Sequence, residues 1–333
     1  MQKKVYSYAK VFIIVAMLVL MAIVAFKSFY SVSNISSILM SAALLGIMAC
    51  GMTFPLLVSG PDLSISGGMA VGGMIAVKYI VNHGNTSGSF WIGLLIALLV
   101  GAVLGALQGA LIHAFKLPSF IITLAMQYIL FGVAQIGLAS KVPCTSPQIF
   151  CDLGNGRLFG FPIPVYIFIV FVLISFLIMH RTVFGRKTFS YGGNRKASVL
   201  CGIQGVWIEI TVFALSGIAA ALSGVILSAM NQQASATAGA GYDTDVLLAC
   251  VLGGVSMGEG IGSIGGAIYG SIFVALLNNC LRIASIPSLY QEMIVGVLII
   301  AAMAFENYFK AIASGMHWSK KKNKKAVDTR DFV

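Results

Sequence analysis

The chain has 333 residues, 59% of them hydrophobic and only 9% charged, with a formal net charge of +11. Soluble domains carry roughly 25% charged residues, so a soluble enzyme or a water-exposed binding module is excluded. The solvent this composition calls for is a lipid bilayer, and no nucleic-acid partner is expected.

Lys3, Lys4 and Lys10 precede a first apolar run at residues 11–26. This resembles a signal peptide, but no small-residue cleavage site follows it, and the run is read as a retained first helix. A spanning helix needs roughly 20 apolar residues. On that criterion the chain reads as an all-α, polytopic membrane bundle of about ten spans, at 11–27, 36–58, 65–82, 90–113, 118–140, 163–180, 205–230, 245–257, 261–282 and 287–306. The 65–82 span holds four glycines and Lys78, and the 245–257 span is short. Either is a candidate for a broken or re-entrant helix. Residues 1–310 form the transmembrane domain, and residues 311–333, with Lys320, Lys321, Lys322, Lys324, Lys325 and Arg330, form a basic cytoplasmic tail.

Basic residues set the orientation. With the N-terminus inside and the spans alternating, sixteen of the 21 Lys and Arg fall in inside segments. That bias places both termini in the cytoplasm. Of the six cysteines, Cys50, Cys201, Cys250 and Cys280 are scattered in or beside spans. Cys144 and Cys151 share the outside loop 141–162, where a local disulfide and two free thiols are both open.

The two halves echo each other weakly, over about 36–140 and 205–306. Asp62 stands eleven residues before Gly73 of a Gly-Gly pair, and Asp243 stands eleven before Gly254 of another. Gln108-Gly109 precedes Pro118-Ser119-Phe120, as Asn278-Asn279 precedes Pro287-Ser288-Leu289. The matched spans are five apart, an odd number, so the copies have opposite orientations; inverted repeats of this kind build alternating-access pathways. Small-residue spacings such as Gly101/Gly105 and Gly262/Gly266/Gly270 are read as helix packing. A polar solute crossing the membrane needs hydrogen-bonding groups, and the repeat landmarks supply candidates: Asp62, Ser64, Ser66, Gln108, Asn278, Asn279 and Gln291. The same residues can instead pin helices together.

No nucleophile–base pair, His/Cys metal cluster or phosphate-binding loop is visible, so no cofactor and no resident catalysis are expected. Asp62, Glu209, Asp243, Asp245, Glu259 and Glu292 sit near the ends of spans, which weakens the case for an ion-coupled carrier. In the inside segment 181–203, Asn194 is a suitable N-cap, 195–201 can be helical and Gly202 is a stop. Val199 and Leu200 give this short helix an apolar patch suited to a groove on a soluble partner.

Three stretches carry a resemblance to a known family. They are Ser59-Gly60-Pro61-Asp62-Leu63-Ser64-Ile65-Ser66-Gly67-Gly68; Phe184-Gly185-Arg186 with Gly192-Gly193-Asn194 and Gly202-Ile203; and Gly258-Glu259-Gly260-Ile261-Gly262-Ser263 through Asn278-Asn279 to Tyr290-Gln291. In these the sequence resembles permease subunits of ribose/galactose/xylose-type ABC importers, the family that includes branched-chain amino-acid permeases. It departs from that pattern at Pro61, at Arg195-Lys196 and at Gln108. The resemblance implies a multi-pass bacterial plasma-membrane protein that moves a small polar solute, most simply a monosaccharide such as ribose. It also implies ABC ATPase subunits inside, an extracytoplasmic solute-binding protein outside, and a second permease copy or homologous permease alongside. Gly185, Arg186, Gly192, Gly193, Asn194, Leu200 and Gly202 become the expected ATPase-coupling residues. The alternative from another class is a stand-alone secondary carrier or channel.

Overall fold

A computed structural model of the protein describes residues 29–137 and 140–313. The first expected span, at 11–27, and most of the basic tail lie outside the described residues. The long helices are α1 (Val32–Val58), α2 (Ile65–Asn82), α3 (Ser87–Phe115), α4 (Ser119–Gly137), α6 (Ile163–Arg181), α9 (Gly205–Asn231), α11 (Ile264–Ile283) and α12 (Ser288–Ala313). Between them lie the short helices α5 (Gln148–Asn155), α7 (Val183–Gly193), α8 (Arg195–Leu200) and α10 (Tyr242–Leu252). The described residues also form four short strands: β1 (Lys141–Pro143), β2 (Arg157–Leu158), β3 (Phe161–Pro162) and β4 (Gln233–Ser235). Seven of the described helices are long and apolar enough to cross a membrane: α1, α2, α3, α4, α6, α9 and α11.

Burial sorts these helices into two groups. α1 and α2 are mostly enclosed, with Ile47, Met48, Met52, Leu56, Leu57 and Met69 fully buried. α3, α4 and α6 turn apolar faces outward. Leu95, Leu99, Val103 and Leu107 repeat every four residues on α3, each about half exposed. A stripe of that kind is stable only against hydrocarbon or another apolar surface. On the opposite side of α3, Gly101, Gly105 and Gly109 press on the backbone of α9 at Gly217, Phe213 and Glu209, and a Cβ at any of the three would collide with it. Small residues at this seam let the two helix backbones touch.

Loops gather at two ends of the bundle. At one end Gly258 N–H donates to Leu56 O (2.8 Å), Gly260 N–H to Leu57 O (3.0 Å) and Ser119 Oγ–H to Ser59 O (3.1 Å). At the other, β1 pairs antiparallel with β4, Lys141 opposite Ser235, and Asn155 donates to the carbonyls of Ala229 and Met230 at the end of α9. Among the described residues, the loops around 59–60, 116–119, 192–194 and 258–260 meet at the first end, and 141–162 and 231–241 meet at the second. Cys144 and Cys151 are free thiols that donate to Ser146 O and Thr145 O.

Two connections run into the bundle instead of crossing its surface. From the first end, the 59–64 segment climbs until Asp62 meets Ser216. Ser216 is the twelfth residue of α9, about 16 Å from the helix start at 1.5 Å per residue. From the second end, 236–241 descends until Gly239 lies against Ser66 and Met69. α10 starts there and runs back to the first end beside α11, with Ala249 against Gly270 and Gly253 against Gly266. Its 11 residues reach about 16 Å, half a hydrocarbon core of about 30 Å. The expected span at 245–257 is therefore a half-length helix: the apolar run continues past Leu252, but Gly254 takes φ +81° and turns the chain. Asp62 and Asp243, expected near span ends, instead sit deep in the bundle.

Candidate functional site

The Asp62 carboxylate is 1% exposed and accepts three hydrogen bonds. Its Oδ1 accepts from Ser64 N–H (3.1 Å) and Ser64 Oγ–H (2.6 Å), and its Oδ2 accepts from Ser216 Oγ–H (2.6 Å). Ser64 has one hydroxyl proton, given to Asp62. The 2.9 Å approach of Gln108 Oε1 to Ser64 Oγ therefore requires the amide turned over, its nitrogen donating to the hydroxyl. Asp62, Ser64 and Gln108 are thus brought together, joined by Ser216, beside a cavity of about 10 Å³ that Leu104, Leu130 and Ala220 also line. That volume holds about one water. Thr123 Oγ–H to Pro61 O (3.3 Å) ties the same loop to α4.

Ser66, two residues after Ser64, belongs to a second cluster. Its Oγ accepts from Gln127 Nε2–H at 2.8 Å, and the Asp243 carboxylate is within hydrogen-bonding reach of both side chains. Asn278 Nδ2–H donates to Asp245 Oδ2 at 2.7 Å. Asn278, Gln127, Asp243 and Asp245 are all partly exposed, and Thr244 is exposed.

The other landmarks lie elsewhere. Asn279 and Asn34 form a reciprocal amide pair: Asn279 Nδ2–H donates to Asn34 Oδ1 (2.7 Å) and Asn34 Nδ2–H to Asn279 Oδ1 (3.1 Å). This clasps α11 to α1, with neither amide facing the two clusters. Gln291 donates to Ile286 O (2.7 Å) across the turn that opens its own helix.

The segment after α6 contains two helices, not one. Thr182 caps α7 by accepting from Gly185 N–H (3.2 Å), and Gly185 is buried against Met179 O. Gly192 packs on Leu57 O and Gly260, while Gly193 is exposed at the end of α7. Asn194 caps α8, its Oδ1 accepting from Ala197 N–H (3.0 Å), and Gly202 turns the chain with φ +83°. Arg186 is exposed, and Leu200 is 89% exposed at the tip.

Sequence reasoning missed a third group at this end. Glu209, 1% exposed, faces His113 Nδ1 (2.8 Å) and Arg195 Nη1 (3.3 Å). Burial, then the Glu209 charge, raises the Tyr191 phenol above its usual range, with Arg195 opposing. Among the described residues no cluster of His, Cys, Asp and Glu could hold a metal ion.

A helical bundle with two chain segments entering from opposite ends, and buried polar groups where they arrive, defines a membrane transport protein. Residues 34–303 match the family described as the branched-chain amino acid transport system permease component, and the chain belongs to that family. It is 35% identical over 300 residues to the ribose import permease protein RbsC of Escherichia coli, covering 88% of this chain and 92% of the relative. It is 32% identical over 312 residues to the L-arabinose transport system permease protein AraH of the same species, covering 92% and 94%. The ribose import permease protein RbsC of Bacillus subtilis is 33% identical over 292 residues, covering 87% and 89%. No solved structure matches the chain. The protein is thus a multi-pass permease subunit of an ABC importer in a bacterial inner membrane, not itself an enzyme. Nothing among these relatives supports a stand-alone carrier.

Proposed function

We propose that this permease imports a monosaccharide, a pentose such as ribose or arabinose first among them, with ATP hydrolysed by separate ABC subunits docked on α7 and α8 and solute delivered by an extracytoplasmic binding protein. The observation that carries the solute class is the identity of 32–35% over most of the chain to permeases named for ribose and L-arabinose. The short capped helix α8 with Leu200 at its tip supports the docking surface, since an exposed leucine on a rigid helix suits a groove.

The solute route runs past Asp62, Ser64 and Gln108 and the more open group of Ser66, Gln127, Asp243 and Asn278. Carboxylates and amides at bilayer depth are costly against lipid, so a second permease covers that face and the route lies along the pair. The full architecture is about ten membrane segments, the one at 245–257 a half-length helix, with an inverted repeat, both termini cytoplasmic, a domain over 1–310 and a basic tail over 311–333. The opposed entry of 59–64 and 236–241 supports the inversion. The Gly-Gly pairs serve differently in the two copies: Gly72 and Gly73 pack on α9, whereas Gly253 and Gly254 end α10.

The test is to isolate the partner binding protein, screen sugars by thermal shift and measure uptake of the stabilising sugar in proteoliposomes holding the whole complex. Uptake of a pentose that depends on ATP and on the binding protein is expected. A binding protein stabilised by an amino acid and by no sugar would overturn the solute class. Cysteine labelling from outside should reach 141–162 and 231–243 but not 181–200.

A further inference from the structure

Four chain segments converge on Glu209, the fifth residue of α9. Its Oε2 faces His113 Nδ1 of α3, and its Oε1 faces Arg195 of α8 and accepts from Ser59 Oγ–H at 3.3 Å. Tyr191 of α7 is within hydrogen-bonding reach. Arg195 does more than neutralise this carboxylate. Its Nη2–H donates to Val58 O (3.1 Å) and to Ser59 Oγ (3.0 Å), and its guanidinium lies 5.5 Å from the centre of the Tyr191 ring. One planar cation therefore holds the C-terminal end of α1 with one nitrogen and the α9 carboxylate with the other, the forked geometry that a lysine cannot reproduce. Three residues beyond Ser59 the chain reaches Asp62.

A buried carboxylate must be paired. A buried ion pair adds little to stability against an apolar replacement, yet removing one partner is strongly felt. Its use here is geometric. The exposed helix tip bearing Leu200 is joined through Arg195 to Ser59, and through Ser59 to the segment that carries Asp62. A cavity of about 520 Å³ opens on the same group and is lined also by Lys116, Pro118 and Ser119. Arg195 has space into which to withdraw, and Lys116 is a second cation among the lining residues.

We propose that Arg195 and Glu209 are positioning residues for transport: they form an ion-paired latch that carries displacement of α7 and α8 to the 59–62 segment. The inference rests on the reading of α7 and α8 as the ATPase contact. The experiment uses the whole complex in proteoliposomes, with solute moved per ATP hydrolysed as the readout for Arg195→Gln, Glu209→Gln, their double variant, Arg195→Lys and Leu200→Asp. Each Gln variant should lower that ratio by about fivefold or more, the size of a coupling free energy between sites. The double variant should be no worse than either single, and the solute concentration giving half-maximal uptake should stay unchanged. Arg195→Lys should recover part of the loss. An unchanged ratio in Arg195→Gln, with Leu200→Asp uncoupled, overturns the latch and leaves the docking surface standing. A normal ratio in Leu200→Asp removes the docking surface itself. A double variant whose loss is the product of the two singles, or losses that only track complex yield in every Arg195 and Glu209 variant, also overturns the latch.

Discussion

The two segments that enter the bundle end in opposite circumstances. Asp62 arrives where both carboxylate oxygens are met within the chain, in three hydrogen bonds from Ser64 and Ser216, beside a space with room for about one water. Asp243 arrives at a group of similar chemistry, Ser66 and Gln127, that is left partly open, with Thr244 exposed beside it. A closed carboxylate network acts first on the fold, and an open one has capacity left for a solute or a second subunit. The difference divides the candidate residues by what their loss should do.

The largest effect should come from Asp62→Ala. It takes from the buried Ser216 hydroxyl its acceptor, at about 1–3 kcal/mol for an unsatisfied group, and leaves Ser64 only Gln108. Monodisperse yield and thermal unfolding in detergent should both fall; a variant with wild-type unfolding temperature would show that the network does not hold the fold. Asp243→Asn comes next. It should insert and assemble normally yet lower uptake by about tenfold, equivalent to roughly 1.4 kcal/mol in the transport barrier. Uptake at the wild-type rate would remove the open cluster from the route. The smallest effect belongs to the Asn34–Asn279 clasp. Asn279→Ala should cost about 1–2 kcal/mol of stability, in keeping with interhelical hydrogen bonds in membranes, and leave half-saturating solute unchanged. Asn34→Ala should match it, and the double variant should cost little more than either single. A shift in solute affinity in Asn279→Ala would return that residue to the pathway.

Much of this architecture was legible in the sequence because lipid imposes long apolar runs. The α2 limits, 65–82, and the cap–helix–stop of Asn194 to Gly202 follow from local chemistry, which a sequence displays directly. What was not legible is pairing across distance. Glu209 looked like a charge near a span end; its meaning depends on His113, 96 positions away, and on Arg195 across a turn. Asn278 and Asn279 read alike as neighbours, but successive residues on a helix point about 100° apart. One therefore meets Asp245 and the other meets Asn34, and no pattern within α11 says which. Gln127 and Ser216 lie outside the repeat landmarks, and only the fold brings them to the aspartates.

The seam of Gly101, Gly105 and Gly109 against α9 has a mechanical consequence. With backbone resting on backbone there is no cushion of side chains to repack, so α3 and α9 cannot slide past each other by degrees and move as one beam. Glu209 is near one end of that beam, Ser216 near its middle, and Asn231 at the far end, where β4 begins and pairs with β1. A tilt begun at either end is felt at the other with its lever arm intact.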